Sequence, residues 1–581
     1  MKKTFRAIAV TAADLAPWRY TVAFPQPETH LLHVRLEIPH WETPVLNLHW
    51  PTWTPGSYLI REYARHLRDF EVTDGDLTGL LWQKTAKNVW RISVPEPMDI
   101  CVTYRIFANE LSVRTNHLDR THAYFNGAAV FGYAPGHEKR PFVVKIAMPQ
   151  PDWQVATPLP CIAPNTYRAQ HYDELVDSPF EVGHHQRHDF TAGGKPHVWV
   201  VWGTGNLDLS QVAADTAKIV ETTAQMFGGL PYDRYWFFLA LSANGYGGLE
   251  HDHACSLLYK RFGFQGESYR RFLNLVAHEF FHVWNVRRIR PKAFERYDYD
   301  REDYTHALWF AEGATSYYDQ LIPLRAGLYD RAFFLQLLGE SISRLQTTPG
   351  RRHHSLWDAS LEAWIKLYRP DAESVNVQVS YYLKGELVCL LLDLAMRATG
   401  RSLDEVWPWL WQTYGQTGVG YTDAELLAGI GAIAGFDLSD FWEKYLYGTA
   451  ELDYNRYLRP FGLQVVAAET DDRPPYTGLV LHGGKTTVRQ VLADSPARQA
   501  GLDPEDELVA LDGFRVESST WEEHLKRCGV GATVALTYFR DQRLHQTTLT
   551  LAEPRQERYV VLPVLEPLAA QQELLSAWLG T

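Results

Sequence analysis

Cysteine is scarce in this chain of 581 residues: five, at Cys101, Cys161, Cys255, Cys389 and Cys528, scattered and odd in number. None falls in a CxxC spacing, which sets aside a disulfide framework and suits a reducing compartment. A run of about 18 apolar residues is also missing, so no membrane span is expected. The opening, Met1 to Val10, has a faint signal-peptide flavour, but Arg6 and Asp14 leave its apolar stretch too short for a hydrophobic region. A cytoplasmic location is expected, with the periplasm as the alternative. No long basic run occurs, and 56 basic against 69 acidic side chains give a net charge of −13. That balance sets aside nucleic acid as the main partner. Internal repeats and low-complexity segments are absent as well. Hydrophobic residues, by contrast, make up 46% of the chain, with 20 Trp and 31 Tyr among them. This is enough for several domain cores, and the aromatic load suits β-rich packing and a lined cleft.

The segment that implies chemistry most directly is His278-Glu279-Phe280-Phe281-His282, preceded by the apolar Phe272-Leu273-Asn274-Leu275-Val276-Ala277. Residues four apart share a helix face. On a helix from about Glu267 to Val286, both imidazoles can therefore reach one Zn²⁺, with Glu279 beside them as a base for the attacking water. A zinc hydrolase needs a third protein ligand. Tyr304 to Asp319 reads as a second helix with Asp303 as its N-cap, and Glu312 is the carboxylate in its apolar middle. A buried carboxylate needs a cation partner. Ser316 and Asp319, on the same helix, are candidates to orient the histidines.

The chain changes character along its length. From about 18 to 205 it reads as β, with alternating segments such as Leu31 to Ile38 and Pro-rich turns such as Pro51 to Tyr58. From about 206 to 455 it is mainly helical, including Ala214 to Phe227 and Val379 to Thr399, with a short strand at Trp236 to Leu241. The segment Val283 to Pro291 after the histidines is rich in arginine, which either lines the cleft or caps the helix. From about 470 to 555 a third unit appears, and Glu566 to Trp578 reads as a short amphipathic helix that packs on its own domain.

Several motifs resemble one family. Trp309-Phe310-Ala311-Glu312-Gly313 looks like the W-x-x-E-G segment of gluzincin metallopeptidases, and the long gap from His282 to Glu312 fits the glycyl aminopeptidases, relatives that carry a PDZ domain. Gly247-Gly248-Leu249-Glu250-His251 resembles their G-G-x-E-H exopeptidase segment. Tyr382-Leu383-Lys384-Gly385 resembles Y-x-K-G, which carries a catalytic tyrosine; Tyr381 is the reserve. The run from Pro55 to Phe70 resembles the family's N-terminal domain. Ser495-Pro496-Ala497 to Gly501-Leu502, followed by Glu507 to Gly513, resembles a PDZ domain, although the loop before Gly478 departs from the usual G-L-G-F.

The resemblance implies an α+β multidomain protein. It comprises an N-terminal β-sandwich-like domain (1–205), a thermolysin-like, mainly helical zinc peptidase domain (206–457), a PDZ domain (458–560) and a tail helix (561–581). It implies one Zn²⁺ per chain on His278, His282 and Glu312, with Glu279 as base and Tyr382 supporting the oxyanion. Glu250, with Gly247 and Gly248, would receive the α-ammonium of peptides with a free N-terminus, those beginning with Gly or Ala above all. A PDZ groove at Gly478, Leu479 and Val480 would take a peptide by β-augmentation. An endopeptidase, or a PDZ-bearing scaffold with an inactive peptidase domain, are the competing readings.

Overall fold

The computed structural model describes residues 16–468 and 472–580; the opening segment Met1 to Val10 lies outside them. The chain divides into two compact units, 1–304 with 407–422, and 305–406 with 423–581.

The first unit begins with sheets of seven, four and three strands. Their sequences alternate because successive side chains of a strand point to opposite faces: along Leu31–Trp41, Leu32, Val34, Leu36 and Ile38 are buried. The aromatic load fills this core, where Trp50 meets Trp90 and Tyr104 edge-on at 4.8 and 5.0 Å. A five-stranded sheet follows, in the order Gln186–Ala192, Lys195–Trp202, Tyr235–Ser242, Ala254–Lys260, Tyr246–Glu250. Its last strand is antiparallel and lies at the edge, so Glu250 ends an edge strand.

The helix Leu209–Phe227 is capped by the Asp208 side chain and closed by Gly228 in the left-handed region. The helix Gly266–Phe281 stops earlier than its apolar pattern suggests. Beyond it the chain turns: the His282 ring donates from Nδ1 to the Asn285 carbonyl at 2.6 Å, and Arg288 donates to that of Val283 at 2.8 Å. Side chains thus take carbonyls that a longer helix would have used. Of the two roles open to these arginines, Arg288 and Arg290 cap carbonyls, Arg290 that of Arg287.

In the second unit the Glu312 helix also starts later than expected. Asp303 does not cap it; its carboxylate accepts from the Asp298 N–H instead. Trp309–Ala314 forms a π-helical turn that continues into the α-helix Thr315–Arg325. The helix Tyr381–Arg397, N-capped by Ser380, packs against the π turn. The crossing is close because two glycines meet: a Cβ on Gly313 would lie 2.5 Å from the Gly385 Cα.

The PDZ portion has a four-stranded sheet, the hairpin Leu479–Leu481 with Val488–Val491, and the helix Trp521–Cys528. It is tied to the stretch before Tyr381 by Asn376, which donates to the Val491 carbonyl at 2.9 Å and accepts from the Ala493 N–H at 2.7 Å. The tail helix Ala569–Leu579 buries Trp578, whose indole N–H donates to the Tyr317 hydroxyl at 2.8 Å. No helix among the described residues is long and apolar enough to cross a membrane.

Candidate active site

The helix Gly266–Phe281 sets His278 and His282 one turn apart, with ring centroids at 4.7 Å and planes at 84°. Because the Nδ1–H of His282 is spent on the Asn285 carbonyl, its Nε2 keeps the lone pair. Donor atoms of Glu250, Glu279 and His282 all lie within 4.8 Å of one another, and all three residues are buried. Burial pushes the Glu279 carboxyl up to about 7; His278 and His282 pull it back, and Glu250 adds to the rise. Among the described residues, Glu250 Oε1 and Glu279 Oε2 are buried and make no hydrogen bond. Two adjacent carboxylates with vacant oxygens call for a cation.

Glycines make room for these carboxylates. A Cβ on Gly248 would collide with the Glu279 carboxylate. Gly56, at φ +81°, lies so close to Glu250 that a Cβ would sit 2.5 Å from both of its oxygens. Arg114 donates to the Gly248 carbonyl at 2.8 Å and lies near Gly247. Arg287 is buried between Asp177 and Asp252, at 2.9 Å from each, so the third arginine of the helix exit is held in an ion network. His251, next to Glu250, bonds Asp177 at 3.2 Å and Ser256 at 3.3 Å, and Ser256 accepts from the Tyr124 hydroxyl at 2.7 Å.

In the second unit Glu312 is buried on the π turn, a local geometry found often at functional sites. Tyr381 is wholly buried, whereas Tyr382 is partly exposed and its hydroxyl lies 2.9 Å from that of Tyr368. Burial, then the nearby Tyr368 and Glu312, push the Tyr381 phenol well above its usual range. In the PDZ portion, Gly478, Leu479 and Val480 line a groove of about 630 Å³ together with Tyr476, Trp521 and Leu525. Gly478 is needed at φ +80°, packed against Ser495.

Sequence reasoning missed Arg114, the Asn285 carbonyl and the contact of Gly56 with Glu250. A signal exists for the last in the Pro-rich turn at Pro51 to Tyr58, but nothing in the sequence ties that turn to Glu250. Two imidazoles one turn apart, beside two carboxylates that each keep a buried oxygen without a hydrogen bond, make a donor set that fits Zn²⁺.

Such a histidine pair one helix turn apart, beside buried carboxylates, is the arrangement of a zinc peptidase. Family models match in chain order: the Peptidase M61 N-terminal domain over residues 19–184, M61 glycyl aminopeptidase over 271–388, and a PDZ domain over 461–551. Among solved structures the chain is similar to an aminopeptidase N family protein from Idiomarina loihiensis, at 31% identity and TM-score 0.91, over 97% of this chain and 100% of that one. It is also similar to a mutant M1 zinc metallopeptidase from Deinococcus radiodurans bound to a Tyr-Ser-Ala substrate (15% identity, TM-score 0.48, 75% of this chain and 94% of that one). A yeast LTA4 hydrolase in complex with bestatin matches at 11% identity and TM-score 0.47, over 77% and 69%. No curated protein matches. The chain belongs to the M61 glycyl aminopeptidase family, with a C-terminal PDZ domain, and is a zinc metallo-aminopeptidase.

Proposed function

We propose that His278, His282 and Glu312 hold one Zn²⁺ and that the enzyme removes small N-terminal residues, glycine or alanine, from peptides with a free N-terminus. The observation that carries this reading is the pair of buried, unsatisfied carboxylates, Glu250 and Glu279, beside the histidine pair. When bound, the ion polarises the scissile carbonyl and acidifies the attacking water. Glu279, raised toward neutrality, accepts the water's proton and delivers it to the leaving amine. The vacant oxygen of Glu250 receives the α-ammonium, which fixes the cut one residue from the N-terminus. Gly247 and Gly248 offer the backbone of an edge strand to the substrate. Tyr382 donates to the oxyanion; its partial exposure, against the full burial of Tyr381, favours it.

The groove at Gly478, Leu479 and Val480 would take a peptide segment along the Leu479–Leu481 strand. We retain the division 1–205, 206–457, 458–560 and 561–581, and a cytoplasmic location with the periplasm as the alternative, as parts of the same proposal.

The test is a panel of aminoacyl-p-nitroanilides and matched N-acetylated peptides, with wild type and Glu250→Gln, with and without a chelator. Gly and Ala substrates should lead in kcat/KM, blocked peptides should resist cleavage, and Glu250→Gln should raise KM. Blocked peptides cleaved as fast as free ones would instead establish an endopeptidase. A panel led by bulky residues would overturn the preference alone.

A further inference from the structure

A second group of metal-type donors lies in the β-rich part of the first unit. The hairpin formed by His117–Leu118 and His122–Phe125 brings His117, Asp119 and His122 together, with donor atoms all within 4.8 Å of one another. We propose that this hairpin is a second metal site, one for a divalent transition ion such as Zn²⁺, separate from the catalytic centre.

The argument rests on how the donors are held. His122 is fully buried, and its Nδ1 lies 2.8 Å from Glu181 Oε1. A carboxylate accepts, so Nδ1 carries the proton and Nε2 carries the lone pair. A carboxylate behind a histidine, with the far nitrogen free to ligate, is how proteins orient imidazoles on metals. The His122 ring is further clamped by Trp202, stacked at 3.6 Å with planes 6° apart. Trp202 in turn donates to the Thr121 hydroxyl at 3.1 Å.

The lone pair of His122 faces His117 Nδ1 at 2.8 Å. Asp119 is fixed through one oxygen only: Oδ1 accepts from the Thr121 N–H and hydroxyl, both at 2.7 Å, and from the His122 N–H at 3.1 Å. Its turn geometry aims the carboxylate without using Oδ2. Two imidazoles and one carboxylate, with a fourth position open to water, form a familiar set for Zn²⁺ and its neighbours.

The separations also say what must move. Two nitrogens held tetrahedrally at about 2.0–2.1 Å from one ion stand about 3.3 Å apart. The present 2.8 Å contact is a hydrogen bond between the rings, so binding requires His117 to carry its proton on Nε2 instead of Nδ1 and to shift by about half an ångström. His117 is the partly exposed member and can do so, whereas His122 cannot. The ion would brace the strand that carries Tyr124, whose hydroxyl bonds Ser256 and through it contacts His251, the neighbour of Glu250.

The experiment counts Zn²⁺ by elemental mass spectrometry on the full chain equilibrated with zinc, and repeats the titration with Co²⁺, whose absorption reports ligand geometry. Wild type should take up a second ion per chain. His117→Gln and Asp119→Asn should each lose that ion while keeping the first and keeping hydrolysis of Ala-p-nitroanilide. A His278→Gln chain should lose activity yet retain the hairpin ion. An equal ion count in wild type and the hairpin variants overturns the proposal. So does a wild-type chain that saturates at one ion, which decides the matter even if the variants fail to fold.

Discussion

Two histidine pairs in the first unit invite comparison. His278 and His282 stand one turn apart, with the lone pair of His282 placed on Nε2 by the Asn285 carbonyl that takes its Nδ1–H. His117 and His122 face each other across a hairpin, with the lone pair of His122 set free by the Glu181 carboxylate. The pairs differ in what surrounds them. Beside the helical pair, Glu250 and Glu279 keep buried oxygens without donors. At the hairpin, Glu181 spends an oxygen on His122, Asp119 is tied into its own turn, and the two imidazoles satisfy each other. The first arrangement keeps buried oxygens unsatisfied, as the proposed substrate contact and base require; the second leaves only Asp119 Oδ2 unused and suits the proposed structural ion. Unsatisfied buried polarity therefore separates the two more sharply than residue types do.

The largest effect should come from closing that vacancy. Glu279→Gln keeps the shape and removes the proposed base, so kcat should fall by about 10²–10⁴-fold with zinc content unchanged. Gly248→Ala drives a methyl into the Glu279 carboxylate and should lower kcat comparably, with about 1–3 kcal/mol lost in stability from overpacking. Steady-state kinetics, metal content and thermal unfolding check both. An active Gly248→Ala enzyme would mean that Glu279 does not need its position.

The helical pair was legible in the sequence because a helix converts a spacing of four into a shared face. The hairpin pair was not: His117 and His122 meet through strand pairing, and Glu181 reaches them from a strand that pairs Val182 with Ala123. Strand-to-strand partnership leaves no mark at fixed spacing. The same holds for Arg114 and Gly56, which approach the Glu250 strand from distant segments of the β domain. The order β-rich then helical was readable from periodicity and turn residues, whereas the PDZ portion and the Glu250 segment were legible only through their resemblance to known motifs. Helix ends were not, because side-chain bonds from His282 and Ser360 to backbone groups decide where those helices stop and start. The glycines of the E-G and K-G motifs gain their reason only in the structure, where Gly313 and Gly385 let two helices touch.

A middle-sized effect should separate the two pairs by their orienting groups. Glu181→Gln leaves His122 a neutral partner and should weaken the hairpin ion by about 10–100-fold, the usual cost of losing such a partner. Aminopeptidase activity should stay at wild-type level, since Glu181 touches neither Glu250 nor Glu279. Competition of the chain against a graded zinc chelator measures the affinity; loss of activity in step with loss of the ion would tie the hairpin to catalysis.

The smallest effect concerns another buried carboxylate, which tests whether burial alone explains the behaviour of Glu279. Glu386, on the helix Tyr381–Arg397, is pushed up to about 8 chiefly by burial, although Gln320 donates to it at 2.9 Å. It is neutral in the folded chain near pH 7 and ionised in the unfolded chain, where carboxyls titrate near about 4.3. The folded state therefore holds a proton that the unfolded state lacks between those values, and stability falls as pH rises from about 4.3 toward 8. Glu386→Gln keeps the bond from Gln320 and removes the titration. The variant should unfold at a higher temperature than wild type at pH 8, and the gap should shrink toward pH 5. Its kcat should not change, because a raised carboxyl that already has a donor is structural, whereas one with a vacant oxygen beside two imidazoles is poised to work. A fall in kcat with unchanged melting would assign Glu386 to the site and erase that distinction.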